Sequence, residues 1–181
     1  VTAPGAPPAP DGSPERDELG EFWRVARAHT RVAELAPVTG PGVEGSLVPP
    51  AWAFGDSPAL ADALLALVLA GEKTATATAF VEFEAAEEPV PARGDLAILL
   101  DSAGHPAALV RTTRVSVVPF GEVDAEHAAA EGEGEGTLAS WRREHERYWR
   151  RVLPTIGEAF SEDLPVVLER FEVLYPDRPE K

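Results

Sequence analysis

The chain has 181 residues, no cysteine, 44% hydrophobic and 26% charged residues, and a formal net charge of −15. Its length suits one domain with a sizeable core plus added segments, and the absence of cysteine excludes disulfides and thiolate chemistry. So acidic a chain disfavours a long, sequence-independent footprint on nucleic acid, where phosphate neutralisation dominates binding; a small nucleotide-like ligand or a local basic stripe stays open.

Residues 1–14 hold five prolines without periodicity and are expected to form a disordered tail. From Glu15 to about Ala36, Leu19, Phe22, Ala26, Thr30 and Ala33 recur at three- and four-residue spacing. That spacing predicts an amphipathic helix with Arg24, Arg27 and Arg31 on its wet side. Residues 37–50, rich in proline and glycine, predict loop. Ser57 and Pro58 mark a helix start and Gly71 a left-handed exit, with Leu60, Leu64, Leu67 and Val68 as the buried stripe. The longest apolar run, Ala63 to Ala70, falls in this helix and is far too short to cross a bilayer. With no signal-peptide pattern, the expectation is a soluble, cytoplasmic protein without membrane contact.

Lys73 to Glu84 alternates and predicts a strand. Leu96–Leu100 and Ala107–Val118, joined through Asp101-Ser102-Ala103-Gly104, predict a β-hairpin. Val123–Ala130 predicts a helix, broken by the glutamate–glycine alternation of residues 131–136. Thr137 to about Leu153 predicts a strongly amphipathic helix with Leu138, Trp141, His145, Tyr148 and Val152 on one face. A final strand is predicted from Val166 to Tyr175. Helices segregated from several mostly antiparallel strands imply an α+β domain with a small sheet or barrel.

Lys73 is the only lysine apart from Lys181, against fourteen arginines. An ammonium can lose its proton and act as base or nucleophile, whereas a guanidinium practically cannot. With Thr74, Thr76 and Thr78 following it, Lys73 reads either as half of a lysine–hydroxyl pair for acyl transfer or as a surface lysine on a threonine-rich strand. In ideal strand geometry Lys73 and Thr76 face opposite ways, so sharing a pocket requires a bend or bulge between them.

Glu131, Glu133 and Glu135 read either as cation ligands or acid–base groups, or as a solvated acidic linker ahead of a helix. His145, between Trp141 and Trp149, reads as a stacking or acid–base group or as a packed helix histidine. No histidine pair has zinc-ligand spacing, so a deaminase-type zinc site is excluded, and no metal or other cofactor is expected. Arg142, Arg143, Arg147, Arg150 and Arg151 are a phosphate-tracking stripe with Trp141, Tyr148 or Trp149 stacking bases, or a solvated face paired to acids. Trp52 and Phe54 belong to the core or to a pocket wall.

Taken in order, these pieces resemble one family. Trp52-Ala53-Phe54-Gly55-Asp56-Ser57-Pro58, Gly71-Glu72-Lys73-Thr74-Ala75-Thr76, Arg111-Thr112-Thr113, and Glu131-Gly132-Glu133-Gly134 followed by Trp141 and His145 closely resemble the ASCH domain. More narrowly, they resemble its bacterial DUF984-type branch, over roughly residues 20–175. The resemblance implies a PUA-like β-barrel flanked by helices, with a cleft beside the Gly-x-Lys motif. The chain then divides into a tail (1–14), an N-terminal helix and loop (15–50), an ASCH domain (51–176) and a C-terminal tail (177–181).

ASCH domains are associated with RNA; some relatives are N4-acetylcytidine amidohydrolases using a lysine, a threonine and a glutamate, and others are described as ribonucleases. By motif, the resemblance places these catalytic groups on Lys73, Thr76 and Glu131. It makes Phe54, Asp56, Thr74, Arg111, Glu133, Trp141 and His145 candidate substrate-binding residues, for a small nucleoside-like ligand or single-stranded RNA. Thr78 stands where the broader motif often carries an arginine, removing one phosphate or carbonyl contact. The N-terminal helix and the tryptophan–arginine helix, which the small amidohydrolases lack, can cover the cleft, alter the substrate or mediate a homodimer.

Three functions follow. In an amidohydrolase Thr76 attacks, Lys73 takes its proton, and Glu131 orients the lysine or protonates the leaving amine. In a non-catalytic RNA- or nucleotide-binding module Lys73 contacts phosphate. In a single-strand ribonuclease Lys73 and Arg111 stabilise the developing phosphorane charge.

Overall fold

The computed structural model describes residues 14–30 and 48–177. The expected tail over 1–13, the helix beyond residue 30, the loop over 37–47 and the last four residues lie outside the described residues.

Punctuation and apolar spacing place most helices where the sequence predicts them. Helix α1 spans Pro14–His29 and buries Trp23 and Ala26. Helix α2 (Pro58–Ala70) ends at Gly71, whose φ of 75° turns the Gly71 and Glu72 amides back to the Val68 and Leu67 carbonyls. Ser57 has the extended backbone of a cap, but its hydroxyl makes no capping bond; Pro58, with φ preset for the first turn, fixes the start instead. Helix α4 (Ala125–Glu131) is capped by the Asp124 carboxylate on the His127 amide, and α5 (Leu138–Val152) by the Thr137 hydroxyl on the Ser140 amide.

The alternation from Lys73 to Glu84 is a strand only over β2 (Ala75–Ala79), and helix α3 follows at Phe80–Ala86. Glu82 accounts for the switch. Its carboxylate turns back to accept the Ala79 amide at 2.9 Å, capping a helix where the threonine–alanine alternation runs out.

The remaining strands are β1 (Ala51–Trp52), β3 (Leu96–Leu100), β4 (Pro106–Pro119) and β5 (Pro165–Tyr175). They form a mixed five-stranded sheet in the order β1-β3-β4-β5-β2, antiparallel except for β1 beside β3. The predicted hairpin is β3–β4; the Asp101 carboxylate closes its turn by accepting the Ala103 and His105 amides. Two-residue β1 is too short to leave a periodic signal.

Alternation along the strands divides the core. Leu64, Leu65 and Val68 of α2 pack with Phe54, Val110 and Phe171 on one face, while Trp23 and Ala26 of α1 pack with Ile98 and Leu109 on the other. A third cluster joins Trp141, Trp149 and Phe120 to Ala77, Ala79, Val166 and Leu168. The alanines of β2 leave room for the Trp149 indole, which is fully buried, while Thr76 and Thr78 point to the opposite face. Among the described residues no helix is long and apolar enough to cross a membrane.

Glu82 is 3% exposed and has no cation beside it in its bonding: one oxygen accepts the Ala79 amide and the Trp149 indole N–H, and Oε1 is buried without a hydrogen-bond partner. Burial raises its carboxyl above the ordinary carboxylate range, against the opposing bonds from Ala79 and Trp149. The folded state therefore holds this proton more tightly than the unfolded chain, and the stability it contributes is present at low pH and lost as pH rises through the folded value. Glu82→Gln keeps both acceptor bonds and should gain about 1 kcal/mol near neutral pH, roughly 2–4 °C in Tm. At about pH 4 the gain should vanish; melts followed by circular dichroism at the two pH values check this, and an equal difference at both would contradict it.

Candidate functional site: a buried lysine between two carboxylates

The Gly71 exit carries the chain from α2 to β2 through Lys73 and Thr74. The Lys73 amide returns to the Leu67 carbonyl, and the Thr74 amide bonds the Ala130 carbonyl of α4 at 2.7 Å. Lys73 thus lies ahead of the strand, where strict alternation does not apply, and its side chain runs inward. It is 0% exposed, which overturns the surface-lysine reading. Nζ lies 2.6 Å from Glu133 and 3.4 Å from Glu131, and 5.1 Å above the Phe54 ring centre.

Glu131 ends α4 and is also 0% exposed. One oxygen accepts the Trp141 indole N–H at 2.7 Å and stands 3.0 Å from His127 Nε2; the other faces Lys73 and, at 3.5 Å, His145 Nε2. The Nδ1–H of His145 donates to the Trp141 carbonyl, which fixes the ring so that Nε2 points at Glu131, and the imidazole stacks on Trp141 at 4.1 Å. Burial pushes the Glu131 carboxyl up, but the Lys73 charge, then His145 and His127, outweigh it and hold the group well below the ordinary range. Glu133 is lowered as well: burial opposes, Lys73 prevails.

The glutamate–glycine segment is therefore no solvated linker at its first two acids. Gly132 has φ 64°, and a Cβ there would stand 2.5 Å from the Glu72 carbonyl oxygen, so only glycine lets Glu131 and Glu133 close on Lys73 from adjacent turns. The ammonium fills the space between the two carboxylates that a metal ion would need.

A cleft of about 620 Å³ opens between α2 and α5. Leu60, Leu64 and Leu67 line one wall, Trp141, His145 and Tyr148 the other, and Glu133 joins them. Asp56, ahead of α2, is ion-paired with Arg151 of α5, so this pair links the two walls. Leu60 and Leu67, expected in a buried stripe, are only partly buried because they face this cleft.

The remaining predicted residues are dispersed. Phe54 is buried under Lys73, and the Thr74 hydroxyl donates to the Ala130 carbonyl. Thr76 is 2% exposed on β2, directly opposite Glu169 of β5. Arg111 lies on the α1 face, where its guanidinium binds Glu172 at 2.6 Å, away from the Lys73 cluster. Trp149 is in the core and offers no surface for a base. Most of the α5 arginines are paired to acids: Arg143 with Glu135 and Glu144, Arg147 with Glu144, Arg150 with Glu146 and Arg151 with Asp56, whereas Arg142 donates to the Gly121 and Val123 carbonyls.

Sequence reasoning missed His127 as a partner of Glu131, although the two stand one helical turn apart on α4, a legible i,i+4 signal. It also missed Glu82, which caps α3 through Ala79 and meets Trp149 of α5, and Glu169, whose partner Thr112 comes from a distant strand.

A mixed sheet with α2 and α5 enclosing a cleft beside a buried lysine defines the α+β, PUA-like class that the sequence predicts. The family model described as ASCH domain matches residues 50–175. Among solved structures, protein EF3133 from Enterococcus faecalis V583, assigned to DUF984, is 32% identical with a TM-score of 0.73, covering 87% of this chain and 88% of that one. An ASCH domain from Lactobacillus crispatus JV V101 is 28% identical with a TM-score of 0.74, covering 92% of this chain and 98% of its own. No curated protein matches the chain. The chain belongs to the ASCH domain family.

Removing Lys73 leaves the buried Glu131 carboxylate facing the part-buried Glu133. Lys73→Ala should cost about 3–5 kcal/mol at neutral pH. The ion pairs lower both carboxyl pKa values, so the wild-type stability they supply is present above the ordinary carboxylate range and lost as pH falls below it. The stability gap between wild type and variant should therefore narrow in acid; urea titrations at about pH 7 and about pH 4 measure it, and a constant gap would contradict the ion-pair account. Gly132→Ala should lose roughly 1–3 kcal/mol in the same assay.

Proposed function

We propose that the protein is an amidohydrolase cleaving the amide of a small acylated nucleoside such as N4-acetylcytidine. The observation that carries this reading is the Lys73 ammonium, held in a dry site between Glu131 and Glu133, with Glu133 reaching the cleft. A fixed positive charge out of water stabilises a developing oxyanion far better than a solvated one. The cleft volume suits a single small molecule. Its leucine wall offers a mostly apolar surface to a base, while the acid-paired arginines of α5 argue against a phosphate-tracking stripe.

In this reading Thr76 supplies the attacking hydroxyl. Glu131, held well below the ordinary range by its neighbours, orients Lys73, a role that suits a group so held better than protonating the leaving amine. Lys73, already shared by two carboxylates, accepts the Thr76 proton only after passing its own to Glu133, 2.6 Å away.

The test is an HPLC time course with N4-acetylcytidine and, separately, a short single-stranded RNA. Thr76→Val, close in shape and retaining the fold, should lose roughly 10²–10⁴-fold in cytidine release, and Thr76→Ser should recover part of it. Unchanged N4-acetylcytidine with wild-type protein would refute the reading; cleavage of the RNA alone would replace it with the ribonuclease.

A further inference from the structure

We infer that Glu169 of β5 activates Thr76 by accepting its hydroxyl proton, so that Lys73 stays a cation throughout the reaction. The inference rests on the amidohydrolase reading and replaces its prior proton transfer from Lys73 to Glu133.

Three observations carry it. In the antiparallel register of β2 and β5, Thr76 and Glu169 are direct partners on the same face; such neighbours stand about 4.5–5.5 Å apart at Cβ. Next, the Thr112 hydroxyl of β4 donates to Glu169 Oε1 at 2.6 Å, which orients the carboxylate. Finally, this face of β5 also carries Phe171, which links it to the Lys73 segment. Phe171, two residues beyond Glu169, packs with Phe54 at 6.4 Å, Phe54 lies under Nζ, and the Phe171 amide bonds the Thr74 carbonyl.

The groups around Glu169 are Thr76 of β2, Thr112 and Val115 of β4, and Asp95 ahead of β3. Burial raises its carboxyl above the ordinary carboxylate range; the Thr112 bond opposes this and the Asp95 charge adds to it. A carboxylate so raised is a better base near neutrality than an exposed one.

The step balances. Thr76 Oγ1 bonds to the acyl carbon, the carbonyl π pair moves to oxygen beside the Lys73 ammonium, and the hydroxyl proton passes to Glu169. Collapse breaks the C–N bond, and the leaving nitrogen takes that proton from Glu169. Water then attacks the Thr76 ester and gives its proton to Glu169, which returns it to the departing Thr76 oxygen. The products are the free amine and the carboxylic acid.

The experiment compares wild type, Glu169→Gln and Glu169→Asp in two assays. The first follows N4-acetylcytidine hydrolysis between about pH 4 and about pH 9. The second maps by mass spectrometry the acetylation of Thr76 by p-nitrophenyl acetate, which needs no natural substrate. Glu169→Gln should lower kcat by roughly 10²-fold or more, leave KM within about twofold, abolish the acidic limb of the rate profile and suppress Thr76 acetylation. Glu169→Asp should restore part of each. Wild-type rates, an intact acidic limb or undiminished Thr76 acetylation in Glu169→Gln would overturn the inference. If wild type leaves N4-acetylcytidine intact yet Thr76 acetylation depends on Glu169, the substrate reading fails and the inference stands; if wild-type Thr76 is not acetylated, the inference fails.

Discussion

One buried cation organises this molecule. Lys73 reaches in from the link between α2 and β2, and Glu131 and Glu133 close on it from the end of α4 and the turn beyond. Burying such a triad is expensive unless every remaining lone pair finds a partner. Here Trp141, His127 and His145 surround Glu131, so two helices and two turns are fixed by a single carboxylate. Two glycines make the approach feasible. Gly71 turns the chain out of α2, and Gly132 passes a backbone carbonyl at a distance no side chain allows.

The same constraint separates duties within the site. Glu131 is ringed by Lys73, Trp141 and two histidines, which hold its carboxyl well below the ordinary range. Glu133 retains contact with the cleft, and Lys73 stands between them as a charge that water does not screen. Beyond it, the Phe54–Phe171 pair leads to Thr76 and Glu169, and the cleft walls present leucines on one side and aromatic rings on the other. A strongly acidic exterior fits such a site, since a neutral ligand is not repelled while a polyanion is.

Much of this was legible in the sequence, for identifiable reasons. The punctuation at Pro58 and Gly71, the hairpin and the face of α5 are local and periodic, and each forms as expected. The lone internal lysine pointed to the site because its residue type departs from the chain's habit. What remained hidden is non-local. The Lys73 to Glu84 alternation carried no sign that Glu82 would fold back on Ala79, since the signal lies in one side chain and not in a period. Arg111 matched its motif but faces α1, because strand parity assigns it to the sheet face opposite Phe54. Glu169 meets Thr76 only through strand pairing between residues far apart in the chain.

Because the chain holds only two lysines, Lys73 and Lys181, selective 13C/15N-lysine labelling reports the central interaction almost without background. The account predicts one Nζ resonance from an ammonium protected against solvent exchange, with cross-relaxation to protons of Glu131 and Glu133, that disappears in Lys73→Ala. Two lysine signals that both exchange freely, with no contact to either glutamate, would contradict it.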